Sequence, residues 1–321
     1  MASTEARPAE AEQVEDPALE RVERAEVPGG LEIAYESFGD PDDPTVLLVM
    51  GLGMQMLGWD EEFCEQVAER GFRVVRFDNR DVGLSSKVGG GAPNVLAGAV
   101  GIRKADYALA DMAIDAVGLL DHLEVDGAHL VGASMGGMIA QTIAARHPER
   151  ALSLCSIMSG PGGRRRATMP RMSVMGTLLS RPPREREAYA GHVAGIFERI
   201  GSPGFSHDRE RLRRRALISY DRCFHPAGAA RQLMAIMASG NRSSEISRIT
   251  CPTLVIHGRE DKLLPSAGGE ATAQAIAGAR LELIDGMGHD LPIELWPRFA
   301  DLIAENAARA KPDAVRPGAP S

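Results

Sequence analysis

Residues 128–138 read Ala-His-Leu-Val-Gly-Ala-Ser-Met-Gly-Gly-Met. The first four are an apolar run of strand character. From Met135 to Arg146 the apolar residues recur at helical spacing. Between strand and helix lies Gly132-Ala133-Ser134-Met135-Gly136, a G-x-S-x-G pentapeptide. A chain that passes from strand to helix this abruptly lifts the serine above the sheet with its hydroxyl free. The flanking glycines are required because a Cβ at either would meet neighbouring backbone. A serine hydroxyl is a poor nucleophile at neutral pH, so it needs a base within hydrogen-bond reach. A glycine–serine turn without function would not need this strand and helix around it.

The segments on either side repeat the strand–helix alternation. Strands are expected at Leu31–Glu36, Thr45–Met50, Arg73–Phe77, Leu152–Met158, Pro252–Ile256 and Leu281–Ile284. Helices are expected over Asp60–Arg70, Asp106–Leu123 and Leu295–Arg309. Thr45–Met50 (TVLLVM) is apolar without a break, as a strand buried on both faces requires. This rhythm predicts an α/β fold with a mostly parallel central sheet flanked by helices. Residues 161–244 break it with Pro, Arg, Met and short helical pieces and no clear strand, and read as an inserted helical cap. The expected organisation is a core of residues 19–160 and 245–310, a cap of 161–244, and disordered tails at 1–18 and 311–321, both tails rich in Ala and Pro. Sites in open α/β sheets lie beyond the carboxyl ends of the strands, where such a cap would sit.

The base for Ser134 is expected late in the chain. Gly286-Met287-Gly288-His289-Asp290 follows the last strand, which makes His289 the candidate. The orienting acid is expected after the preceding strand, where Ile256-His257-Gly258-Arg259-Glu260-Asp261 supplies Asp261. Glu260, Asp285 and Asp290 are the rivals for that role, and His257 reads as a turn residue. His122, His129, His147, His192, His207 and His225 read as structural or exposed. The oxyanion of an acyl transfer needs donors aimed at it. The backbone N–H groups of Met135 and of Leu52, in Met50-Gly51-Leu52-Gly53, are the candidates. Gly51, Met54 and Met158 are candidate pocket residues. Met169, Met172, Met175, Met234 and Met237, with Met54 and Met56, are each ordinary core residues in the plain reading; together they would line an adaptable apolar pocket. Gly89-Gly90-Gly91 reads as a mobile loop near the site.

These motifs resemble the α/β-hydrolase superfamily over roughly residues 30–310. Val49–Trp59 (VMGLGMQMLGW) and Arg76–Ser85 (RFDNRDVGLS) are similar to a bacterial lipase/esterase branch that includes aclacinomycin methylesterases and mycobacterial esterases. The resemblance implies the α/β-hydrolase fold, with a helical cap inserted after the sixth strand. It carries Ser134, Asp261 and His289 over as the triad, in the chain order the family uses, and Leu52 and Met135 as oxyanion donors. Many relatives have His-Gly where this chain has Met50-Gly51, a replacement that the branch tolerates. The expected activity is cleavage of a carboxylic ester or related acyl bond of a largely apolar small molecule, with lactonase, cyclase or methylesterase action on a natural product as the alternative. A non-catalytic ligand-binding role is the reading from another class. Members that open epoxides or displace halide carry aspartate where this chain has Ser134, which argues against those chemistries.

Composition sets further bounds. Over 321 residues the net charge is −8, so no overall positive field would draw in nucleic acid. Arg164–Arg166 and the arginines at 211, 213, 214 and 215 read as solvated faces. Four scattered cysteines include no CxxC pair, and neither a metal nor an organic cofactor is expected. Gly51-Leu52-Gly53 followed by Asp78 suggests a dinucleotide site, but Met56 stands where the third glycine belongs. The N-terminus lacks the basic and apolar regions of a secretory signal, and no apolar stretch is long enough for a bilayer. The chain reads as a cytoplasmic monomer or homodimer acting on a small acyl substrate.

Overall fold

β3 (Thr45–Val49) is buried at every position and lies near the middle of the sheet. Its alternate side chains face opposite ways, and each face has its own apolar core. Leu47 and Val49 join Phe77, Leu130, Leu119 and Ile143 on one side. Val46 and Leu48 join Phe63, Val131, Leu254 and Phe299 on the other. Each such side chain contributes about 1.5–3 kcal/mol on burial, and this two-sided packing is what makes the continuous apolar run a strand.

The computed structural model describes residues 21–99, 104–163, 174, 176 and 180–310. The expected tails, Arg164–Arg166, Met169, Met172 and Met175 lie outside them. The strands are β1 (Glu23–Val27), β2 (Leu31–Phe38), β3, β4 (Arg73–Phe77), β5 (Ala128–Ala133), β6 (Ala151–Ile157), β7 (Thr253–Gly258) and β8 (Arg280–Ile284). They form one eight-stranded sheet in the order β1-β2-β4-β3-β5-β6-β7-β8. β2 pairs antiparallel with both β1 and β4; the remaining pairings are parallel. The helices of the core are α1 (Glu61–Ala68), α2 (Val95–Ala99), α3 (Leu109–His122) and α4 (Met135–Arg146). Between β6 and β7 come α5 (Arg186–Ile200), α6 (Arg209–Arg222), α7 (Pro226–Ser239) and α8 (Ser243–Ile246). α9 (Ala267–Ala275) and α10 (Trp296–Ala307) follow. Helices cover both faces of a mostly parallel sheet, as the alternation implies. Among the described residues no helix is long and apolar enough to cross a membrane.

The inserted helices are fastened to the core by charge. Arg211 and Arg215 on α6 both reach the Asp60 carboxylate, at 2.9 and 2.7 Å, and Arg211 also reaches Glu62. These arginines were expected on a solvated face. They are pairing groups because α6 lies across the start of α1. On α7, buried Arg231 holds buried Asp81 through two hydrogen bonds of 2.8 and 2.7 Å, and its Nη1 lies 3.3 Å from the carbonyls of Gly90 and Gly91.

Candidate active site

From Ala128 to Ala144 every residue is buried except Ser134, which keeps contact with solvent. Its backbone has φ +56° and ψ −118°, a conformation that few L-residues adopt and that the surrounding structure must impose. Two glycines make this turn possible. A Cβ on Gly136 would overlap the Val49 carbonyl, and one on Gly132 would overlap the Gly136 carbonyl. Backbone bonds fix what the glycines allow: the Ser134 N–H donates to Ile157 O at 2.9 Å, and Ser159 Oγ donates to Ser134 O at 2.8 Å. Ser159 was not anticipated from the sequence, because its partner is a backbone carbonyl 25 residues away.

The residues expected to act with Ser134 are brought to it. The Ser134 hydroxyl lies 3.0 Å from His289 Nε2, and His289 Nδ1 lies 2.6 Å from Asp261 Oδ2. The carboxylate only accepts, so Nδ1 carries the proton and Nε2 is left to accept from the serine. The other oxygen, Asp261 Oδ1, accepts the N–H groups of Leu263 and Leu264, each at 2.8 Å. Burial alone would raise the Asp261 pKa. His289 and His257 outweigh it and hold the carboxyl far below the usual carboxylate range.

His257 corrects one reading of the sequence. It is not a turn residue: it lies within β7, fully buried. Its Nε2 is 2.7 Å from Leu264 O, which fixes Nε2 as the donor, and 3.4 Å from Asp261 Oδ2. Of the rivals for the acid role, Asp290 accepts from Ser202 and Asp285 is an exposed partner of Arg259. The buried Oε2 of Glu260 has no hydrogen-bond partner among the described residues, and the carboxylate that reaches His289 is that of Asp261.

Met135 is the first residue of α4, so its N–H has no acceptor within the helix and lies at the positive end of the helix dipole. Leu52 lies in a loop pinned from several sides. Asn79 Nδ2 donates to Met50 O at 3.0 Å, and the Met54 N–H closes a turn onto Gly51 O at 3.2 Å. Gln232, buried on α7, accepts the Gly53 N–H at 2.8 Å and donates to Arg80 O at 2.9 Å. Gly51 is packed against the nucleophile: a Cβ there would stand 3.3 Å from Ser134 Cβ. Met158 has φ +41° and follows Ile157, whose carbonyl accepts from Ser134. Met54 is partly buried against the core, Met56 and Met234 are buried, and Met237 is exposed.

The dinucleotide reading fails on Asp78. Its carboxylate is buried and accepts the N–H groups of Met56 at 2.7 Å and Leu84 at 2.8 Å, with Arg222 at 3.2 Å, so the acid that this reading assigns to a ribose is already engaged. Among the described residues no group of three or more His, Cys, Asp or Glu side chains is placed to hold a metal ion.

Known proteins are similar to this chain over most of its length. The family model described as the alpha/beta hydrolase fold matches residues 44–294. Rhodomycin D methylesterase of Streptomyces peucetius is 28% identical over 293 residues, covering 86% of this chain and 94% of that protein. The 2-hydroxymuconate semialdehyde hydrolase of Pseudomonas sp. (strain CF600) is 31% identical over 228 residues, covering 70% and 78%. An esterase structure from Thermogutta terrifontis superposes with a TM-score of 0.67 at 24% identity, covering 90% of this chain and 98% of that one.

Proposed function

The chain belongs to the α/β-hydrolase family, and from that premise we propose that it is a carboxylic ester hydrolase acting through Ser134, His289 and Asp261. The observation that carries this reading is the unbroken hydrogen-bond chain from Ser134 Oγ through both imidazole nitrogens of His289 to Asp261. His289 Nε2 takes the hydroxyl proton as Ser134 Oγ bonds to the acyl carbon. The electron pair of the carbonyl moves onto its oxygen, where the N–H groups of Leu52 and Met135 hold it. Collapse of the tetrahedral species expels the alcohol oxygen, which takes the proton from Nε2 and leaves Ser134 acylated. Water then repeats the sequence with His289 as base and frees the acid. Asp261 stays ionised, keeps the imidazole in the required tautomer and stabilises its protonated form.

The substrate we propose is a largely apolar small molecule, presented between the Gly51–Met54 loop, Met158 and the inserted helices. A natural-product methyl ester is the second reading. It is favoured by the likeness to the rhodomycin D methylesterases, 28% identical over 86% of the chain. A fluorophosphonate probe tests the mechanism: it is expected to label wild-type protein once, at Ser134, and not to label folded Ser134→Ala. Absence of label on folded wild-type protein would remove the hydrolase reading. A series of p-nitrophenyl esters of rising chain length tests the substrate, and a preference for charged acyl groups would overturn the apolar assignment.

A further inference from the structure

His289 stands on a loop, and a loop alone does not hold an imidazole to within hydrogen-bond tolerance of two partners. What braces it comes from the inserted segment, at the turn between α5 and α6. The His289 N–H donates to Ile200 O, the last carbonyl of α5, at 2.8 Å. Ser202 is fully buried beside it. Its Oγ accepts the Gly288 N–H at 2.8 Å and donates its own proton to Asp290 Oδ1. One hydroxyl therefore ties together the residues immediately before and after His289. The fit is close enough that a Cβ on Gly288 would overlap the Gly201 carbonyl. The turn is itself anchored: the Gly204 N–H donates to Gly286 O at 2.9 Å, the Ser206 N–H to Glu294 Oε1 at 3.1 Å, and Phe205 packs against the core.

We infer that Ser202 is a positioning residue for the hydrolysis: its hydroxyl, bridging Gly288 and Asp290, sets the His289 imidazole between Ser134 and Asp261. The inference rests on the triad proposed above. The inserted segment is then part of the catalytic framework as well as a cover, because it supplies the support on which the base stands. Misplacing a reacting group by about 1 Å costs on the order of a hundredfold in rate, so the loss of this bridge belongs in the turnover rate and not in substrate binding.

Ser202→Ala, made in the full-length chain, tests this with two independent readouts. The first is the far-downfield proton resonance expected of the short His289 Nδ1–H···Asp261 bond, assigned by its loss in His289→Gln. It is expected to broaden or vanish in Ser202→Ala while the thermal transition stays cooperative. The second is kinetic: kcat for a p-nitrophenyl ester and the fluorophosphonate labelling rate fall by about tenfold to a hundredfold, with KM within about twofold. Asp290→Ala gives the same defect, and the double variant adds little to it. If Ser202→Ala proves insoluble, Ser202→Cys fills the site with a much weaker hydrogen-bonding group and is expected to show the same direction of change. An unchanged resonance, or an activity loss that only follows the unfolded fraction, overturns the inference. If wild-type protein takes no label at Ser134, the hydrolase reading falls, and the resonance alone still decides whether Ser202 positions His289.

Discussion

Ser134 and His129 lie five residues apart on the same strand-and-turn segment, and burial acts on them in opposite senses. At Ser134 the chain is forced into an unusual backbone conformation so that one hydroxyl stays open to solvent. At His129 the side chain is enclosed, with Ser153 Oγ 2.9 Å from Nδ1 and the Phe72 ring edge-on at 5.6 Å. Burial pushes the His129 pKa down from 6.5 to about 4. The folded protein therefore refuses a proton that the unfolded chain accepts below about pH 6.5. The resulting stabilisation is complete above that pH and is lost as the pH falls towards 4, by about 1.4 kcal/mol per pH unit and roughly 3 kcal/mol in all. His129→Asn is expected to be less stable than wild type at pH 7, with the gap in urea-unfolding free energy narrowing steadily to pH 4. A gap that stays constant between those values would show that His129 is not buried in its neutral form.

The elements differ in how plainly the sequence announces them. The elbow at Ser134 was legible because its steric demands are local: strand, glycine, serine, glycine and helix are all within one stretch. His289 and Asp261, which the structure brings into one hydrogen-bond chain with Ser134, were legible as candidates because each follows a strand that could be read from apolar runs. β1 was not, since Glu-Arg-Ala-Glu-Val carries three charges and has a partner on one edge only, so neither an apolar run nor clear alternation marks it. His257, Ser202 and Gln232 were missed for a different reason. Ser202 and Gln232 bond to loops 86 and 179 residues away, which nothing near them in sequence marks, and His257 bonds to the Leu264 carbonyl 7 residues on, a contact set by how the loop after β7 turns. α7 shows what this conceals. Gln232 holds Gly53 N–H with one end and Arg80 O with the other, directly beside Leu52. Replacing it with Ala frees the loop that bears the proposed oxyanion donor. Gln232→Ala is expected to lower kcat/KM for a p-nitrophenyl ester by about tenfold to a thousandfold, the upper limit being the loss of a whole oxyanion donor. Rates equal to wild type would show that the loop holds its shape without α7.

At the scale of the whole molecule, the question is whether the inserted helices and the core are separable. The ion pairs say that they are not. Asp60, at the start of α1, neutralises both Arg211 and Arg215, and the Arg211 guanidinium lies 5.3 Å above the Trp296 ring. Trp296 meets Phe63 edge-on, and Phe63 stacks on Trp59, so α6 rests on an aromatic cluster that joins α1 to α10. Burial lowers the Arg215 pKa, and Asp60 is the first group opposing that fall. Removing the carboxylate therefore leaves a partly buried cation with the Leu57 carbonyl as its remaining acceptor, a change that costs less than the roughly 3–5 kcal/mol of breaking a fully buried pair. That cost falls on the contact between α6 and the core and leaves the sheet untouched. Trp59 and Trp296 are the chain's two tryptophans, so fluorescence reports this contact while far-UV circular dichroism reports the helices and strands as a whole. In wild-type protein both signals are expected to change together in a single urea transition, because the segment that supports His289 cannot leave the core without exposing the aromatic cluster. In Asp60→Ala the fluorescence change is expected at lower urea than the dichroism change. Coincident curves in the variant would mean that the apolar contacts of α6, without the ion pairs, suffice to couple the inserted segment to the core.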